Sequence, residues 1–325
     1  MTPGRTLLVL GGGGSAGAYQ VGALLGLAEA RVLPDALFGC SAGALNAAFF
    51  AGDPSLKGAR SLAEWWTRTD SRRLMSPGRL AQLRGLAGAL ASRADALLDE
   101  RPLRRLVAEH VGAHDVSELA VPLTVTTTCL DCAAAAHHDR GPLADVLVAS
   151  CSLPGLFPPV LLPDGHQHVD GGVLQGVPLA AALAAAGPDD VVHVLDCGLS
   201  PVTGPAAGCA GLAESVDACG LGAPQRPWTV PVERRRGALD VVLRSFAVAR
   251  TVANRFAMAA LLDDPRVRVL PHLADAWAAG LLEHAPAGPR DFTHTAALVE
   301  AGQAATALWL SAHPTRPATG TDGRR

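Results

Sequence analysis

Asp35-Ala36-Leu37-Phe38-Gly39-Cys40-Ser41-Ala42-Gly43-Ala44-Leu45-Asn46-Ala47-Ala48-Phe49-Phe50 is the stretch on which the fold reading turns. Its first part is short, apolar and strand-like; its last part suits a helix. Ser41 stands where one becomes the other. A turn that sharp crowds the positions two before and two after it, and both are glycine, Gly39 and Gly43. The arrangement lifts the Ser41 hydroxyl out of the backbone. It also sets Ser41 beside a helix N-terminus, whose amides favour developing negative charge. In a chain with 35 glycines, a G-x-S-x-G pentapeptide also arises as an ordinary turn, so its surroundings must decide.

Upstream, Leu7-Leu8-Val9-Leu10 reads as a buried strand entering Gly11-Gly12-Gly13-Gly14-Ser15-Ala16-Gly17. A helix is predicted over 18–30, with Val21, Leu24, Leu25 and Ala28 on one face. Successive amides in such a loop form an anion nest, fit for a phosphate or for the oxyanion of an acyl-transfer intermediate. Gly12-x-Gly14-x-x-Gly17 formally matches the dinucleotide fingerprint, which needs an acidic residue ending the second strand. That strand ends at Cys40-Ser41 instead, and Asp35 lies at its wrong end. Downstream, Val169-Asp170-Gly171-Gly172-Val173 follows a turn at Pro163-Asp164-Gly165. Asp170 could accept a proton from Ser41; it could also simply cap a turn, as Asp-Gly often does.

In this order the three pieces resemble the patatin-like phospholipase family. The resemblance extends to Val121–Thr128 as a central strand and to Ala149–Val160 between nucleophile and aspartate. It continues through the helix 239–262, the strand 267–270 and a last helix 291–309. It covers residues 5–313, read as one domain with its motifs in 6–180, and implies a patatin-like three-layer α/β/α fold. It further implies a Ser-Asp dyad with Ser41 as nucleophile and Asp170 as general base. Amides of Gly12, Gly13 and Gly14 would form the oxyanion hole, with Gly17, Gly39, Gly43, Gly171 and Gly172 as supporting motif positions. The implied reaction is hydrolysis of a fatty-acyl ester, phospholipid or lysophospholipid, through an acyl-enzyme without metal or cofactor. Two positions depart from the family pattern. Ala16 stands where many members have a basic residue, and Gly176 where many have Asn.

Two other readings fit part of the sequence. A Ser-Asp-His triad needs a histidine after Asp170, and His193, His272, His284, His294 and His313 qualify by order alone. Yet Ser41 follows a single β-α unit, earlier than such a triad's elbow normally comes. A non-catalytic lipid-binding protein of the same fold is favoured only by Ala16.

Composition narrows the field. The chain has 325 residues, 49% of them hydrophobic, and a net charge of -3. That suits one large domain and gives no basic face for nucleic acid. Lys57 is the one lysine, so arginines are discounted individually, with Arg72-Arg73 and Arg234-Arg235-Arg236 read as solvated. No apolar run reaches the roughly 18 residues that span a bilayer. Seven scattered cysteines fit reduced thiols, a cytoplasmic location and at most peripheral membrane contact. Cys129-x-x-Cys132 with His137 and His138 has the look of a metal site but lacks a second cysteine pair, and no metal is assigned. Cys40 is read as a packing residue whose thiol could expose the site to thiol reagents.

The alternation of elements (strands 6–10, 36–40, 121–128, 191–196 and 267–270; helices 18–30 and 42–51) predicts a mostly parallel sheet flanked by helices. Residues 52–118 are read as helical, with Leu80, Leu83, Leu86 and Leu90 either packing on the sheet or forming a lid. Residues 200–231 are read as a long loop and 314–325 as a disordered tail.

Overall fold

Strand β1 (Thr6–Leu10) shows how the chain makes layers. Leu8 and Leu10 enter one hydrophobic core, and Leu7 and Val9 enter another. Successive side chains of a strand point to opposite faces, so a strand apolar throughout must be covered on both sides. The computed structural model describes residues 4–68, 99–198, 238–283 and 291–313.

The parallel part of the sheet runs in the order β3 (Leu123–Cys129), β2 (Ala36–Cys40), β1, β7 (Val191–Leu195), β8 (Val267–Val269). Between β1 and β2 comes helix α1 (Gly17–Glu29); after β2 come α2 (Ala42–Gly52), α3 (Leu56–Thr67) and α4 (Arg101–His110). Three antiparallel strands complete the sheet: β4 (Ala134–His138) on β3, and β5 (Val160–Leu161) on β6 (Gln167–Asp170), which also pairs with β3. Helix α5 (Leu143–Cys151) precedes β5, and α6 (Leu179–Ala185) follows β6. The chain closes with α7 (Ala238–Ala259), α8 (Leu273–Ala278) and α9 (Thr295–Ala312).

Helices α1, α2, α3, α5 and α9 cover the first face, and Leu179 and Ala182 of α6 with Met258 of α7 cover the second. Helices α1 and α9 approach closely because glycines face backbone: a side chain at Gly22 would strike the carbonyl of Val299, and one at Gly302 that of Tyr19. The fold is therefore the expected three-layer α/β/α arrangement on a mostly parallel sheet.

Some boundaries differ from the sequence reading. The last helix starts at Thr295, not 291, because Thr295 Oγ1 donates to the Phe292 carbonyl and Phe292 is tucked against Trp66, their ring centroids 6.1 Å apart. Strand β4 went unread because alanine has little strand preference. The leucines at 80, 83, 86 and 90, the 200–231 loop and the 314–325 tail lie outside the described residues. No described helix is long and apolar enough to cross a membrane.

Candidate active site

The two halves of the site meet on one edge of β3. Strand β2 runs parallel to β3 as far as Cys40 opposite Thr126; β6 runs antiparallel to it and ends with Asp170 opposite Thr127. Strand β4 pairs with Val125 through Cys129, so it takes the other edge. The ends of β2 and β6 therefore converge at neighbouring residues of β3. There Ser41 Oγ donates a 2.7 Å hydrogen bond to Asp170 Oδ2.

Ser41 has φ 55° and ψ -127°, in the left-handed region that a side chain rarely adopts. The next residues enter α2 directly. A side chain at Gly43 would collide with the Leu10 carbonyl, and one at Gly39 would lie 2.6 Å from Ala44 Cα. Both glycines thus answer the crowding inferred from the sequence. The segment Ser150-Cys151-Ser152 clamps both halves of the site. Ser150 Oγ accepts from the Ser41 amide at 2.9 Å and donates to the Thr126 carbonyl at 2.7 Å. The Ser152 carbonyl accepts from the Asp170 amide at 2.9 Å.

Asp170 is buried, and burial raises its carboxyl above the usual carboxylate range. Three features oppose that rise: the guanidinium of Arg250, the Ser41 hydroxyl, and the Gly172 amide donating to Oδ1 at 2.7 Å. Arg250 comes from α7. A Cβ placed on Gly172 would lie 2.7 Å from Arg250 Nη1 and 2.9 Å from Asp170 Oδ1, so the cation sits directly over the aspartate loop. One turn further along α7, Asn254 Oδ1 accepts from the Gly176 amide at 2.9 Å. The Gly176 carbonyl in turn accepts from the Gly12 amide at 2.8 Å. The departure at Gly176 therefore meets a side chain from α7. Asn254 occupies the space beside Gly176, and Arg250 brings a cation to a site whose glycine loop carries none. Sequence reading missed both residues, since nothing local distinguishes them.

The glycine loop is held from behind by a buried polar chain. Trp66 Nε1 donates to Asn46 Oδ1 at 2.8 Å, and Asn46 Nδ2 to Gln20 Oε1 at 2.9 Å. Gln20 Nε2 donates to the carbonyls of Leu195, at 2.9 Å, and Gly11, at 3.2 Å. Satisfied buried networks of this kind fix a single geometry. Gly12, read from the sequence as an oxyanion donor, gives its amide to the Gly176 carbonyl instead; Gly13 and Gly14 follow it in the loop, Gly14 at φ 59°. Gly12 itself packs on Ser41: a Cβ there would be 3.1 Å from the Ser41 Cβ.

Three of the described histidines after Asp170 make contacts away from the dyad. His193 is buried in β7 against Trp309; His272 caps α8 and bonds the Gly198 carbonyl at 3.2 Å; His313 stacks on Trp309. His294 precedes α9, and His284 lies outside the described residues. His168, two residues before Asp170, bonds Thr127 Oγ1 and Asp164. Cys40 is wholly buried, and burial pushes its thiol well up, so it is shielded from the thiol reagents that its sequence position invited.

Comparison with known proteins bears on the family. The chain is 28% identical to the neuropathy target esterase sws of Drosophila melanogaster over 172 residues, 53% of this chain and 11% of that one. It is 30% identical to the mouse patatin-like phospholipase domain-containing protein 7 over 183 residues, 56% of this chain and 13% of that one. It thus spans only about a tenth of the length of such relatives. Among solved structures, VipD from Legionella pneumophila is similar with a TM-score of 0.41 at 14% identity, over 78% of this chain and 66% of that one. The family described as Patatin-like phospholipase matches residues 8–183, more than half of the chain and all three motifs, and this protein belongs to that family of lipid acyl hydrolases.

Proposed function

We propose that this protein hydrolyses carboxylic esters of phospholipids or lysophospholipids with Ser41 and Asp170 as a catalytic dyad. The observation that carries the reading is the direct 2.7 Å bond from Ser41 Oγ to Asp170 Oδ2, with no imidazole between them. Ser41 Oγ attacks the acyl carbonyl and passes its proton to Asp170. The tetrahedral oxyanion is held by the amides of Gly13 and Gly14 and by the N-terminus of α2. Collapse breaks the ester bond, and the proton on Asp170 leaves with the alcohol. Water then attacks the acyl-enzyme, gives a proton to Asp170, and the fatty acid departs as Ser41 recovers its own.

Arg250 fits this scheme as the group that keeps a buried carboxylate ionised. Asn254 fits as the brace that holds Gly176 against the Gly12 amide. Without Arg250, desolvation would favour the protonated acid, which cannot act as a base. A cytoplasmic enzyme that meets its lipid at a membrane surface is part of the reading. Its support is that the five cysteines among the described residues are free thiols, together with the exposed stripe Val248, Val252 and Phe256 along α7, the helix that also carries Arg250.

The test is intact-mass analysis after treatment with a lipid-like fluorophosphonate. One adduct is expected on the wild type and none on folded Ser41→Ala. Asp170→Asn should react at least about a hundredfold more slowly. Labelling that survives in Ser41→Ala, or a folded wild type that takes no adduct, overturns the dyad.

A further inference from the structure

The far end of β3 gathers a second set of reactive side chains, outside the dyad. Cys129 ends β3, Cys132 lies in the turn to β4, and His166 lies in the turn between β5 and β6. One ligand atom from each falls within 4.8 Å of the others. Sequence spacing pairs the cysteines with His137 and His138. Strand β4 takes those two rings elsewhere: His137 Nδ1 is 3.2 Å from Thr126 Oγ1, and His138 Nε2 is 2.8 Å from Thr127 Oγ1. The histidine that completes the set arrives from a hairpin more than thirty residues along, as the count from Cys132 to His166 shows.

The turn already has the form of a ligand loop. The Cys132 amide donates to Cys129 Sγ at 3.2 Å, which fixes the direction of that sulfur. Ala133 holds φ 52°, which sends the chain back into β4 and leaves the two sulfurs on the same side of the turn. Asp131 Oδ2 lies 3.6 Å from His166 Nδ1 and accepts from the Gln167 amide at 2.7 Å. A carboxylate so placed can orient the imidazole or take a ligand position itself. Cys129 is buried and Cys132 exposed, so an ion has a way in from solvent.

We propose that Cys129, Cys132 and His166 bind one Zn²⁺ ion, with Asp131 or a water molecule completing a tetrahedron. Two sulfurs and an imidazole select a borderline-soft cation and discriminate against Mg²⁺ and Ca²⁺. Binding releases the proton of each thiol and forms two Zn–S bonds, with no electron transferred. The ion would tie the β3–β4 turn to the β5–β6 turn and so anchor the start of β6, whose other end is Asp170. The role is structural, and its test does not depend on whether the protein is a hydrolase.

The test uses the full chain, purified in reductant, stripped with a chelator and titrated with Co²⁺ as a spectroscopic stand-in. One equivalent should give thiolate-to-cobalt charge-transfer absorption, displaced by Zn²⁺. Cys132→Ser and His166→Gln, both at exposed or half-exposed positions, should each weaken binding more than about tenfold. Circular dichroism verifies that each variant is folded. The proposal fails if the folded, reduced protein gives no charge-transfer band. It fails equally if the band persists in the Cys132→Ser/His166→Gln double variant. An intact mass two hydrogens light after purification without reductant, with no metal retained, would mean a Cys129–Cys132 disulfide instead and would also overturn it.

Discussion

Ser41 holds its hydroxyl toward Asp170 by staying in a backbone region that costs on the order of 1 to 3 kcal/mol for a residue with a side chain. Ser41→Ala and Ser41→Gly both lose the hydroxyl, but only glycine relaxes the turn. Ser41→Gly should therefore be the more stable of the two by about 1 kcal/mol in urea unfolding. At Asp170, burial raises the carboxyl and Arg250 draws it down. On the proposed mechanism the base works when ionised, so activity should fall as pH drops through its titration. Arg250→Gln removes the cation, and the acid limb of the pH–rate profile should move to higher pH, with the alkaline limb unmoved. His193 is a second titrating case. Burial in β7 and the nearby Arg268 lower it to about 4, and its Nδ1 has no hydrogen-bond partner among the described residues. The unfolded chain then binds the extra proton between pH about 6.5 and 4, so stability is full above about 6.5 and declines as pH falls toward 4. The loss is on the order of 3 kcal/mol; His193→Leu should flatten that part of the stability–pH curve measured by thermal unfolding. Ser41 and Asp170 were legible in the sequence because their turn chemistry is local. Arg250 was not, because arginine is this chain's routine cation and only tertiary placement separates one from the rest.

Among the elements, β6 and the Ser150-Cys151-Ser152 segment decide whether the two halves of the site meet. Ser150 joins the half-buried elbow amide to the buried Thr126 carbonyl. Ser150→Ala strands a donor and an acceptor, and should cost about 2 to 3 kcal/mol in denaturant unfolding and slow fluorophosphonate labelling. The loss of labelling should exceed what the unfolded fraction explains, since the change misplaces Ser41 directly. The strands β1, β2, β3, β7 and β8 could be read in sequence from apolar runs. The pairing of β6 with β3 could not, because four residues with a buried histidine and aspartate carry no apolar alternation. Helix α7 was expected as a helix, yet its Arg250 and Asn254 gave no sign of facing the site. Two positions one turn apart share a face, but which face meets the sheet is fixed by packing of Met258 and its neighbours in the second core.

For the whole molecule, the layer order was legible because β-α alternation with strands buried on both faces leaves few arrangements. The residues that match the family, 8–183, contain the dyad and the glycine loop. They do not contain Arg250 or Asn254, which lie well beyond that range. During synthesis, the serine and the aspartate can thus come together while the helix that charges their pocket is still inside the ribosome. On the proposed mechanism, a nascent chain at that stage has the serine and its acid in place but lacks the cation that opposes the rise of the Asp170 carboxyl. The site would be completed late, with α7 and the edge strand β8 that follows it in the chain.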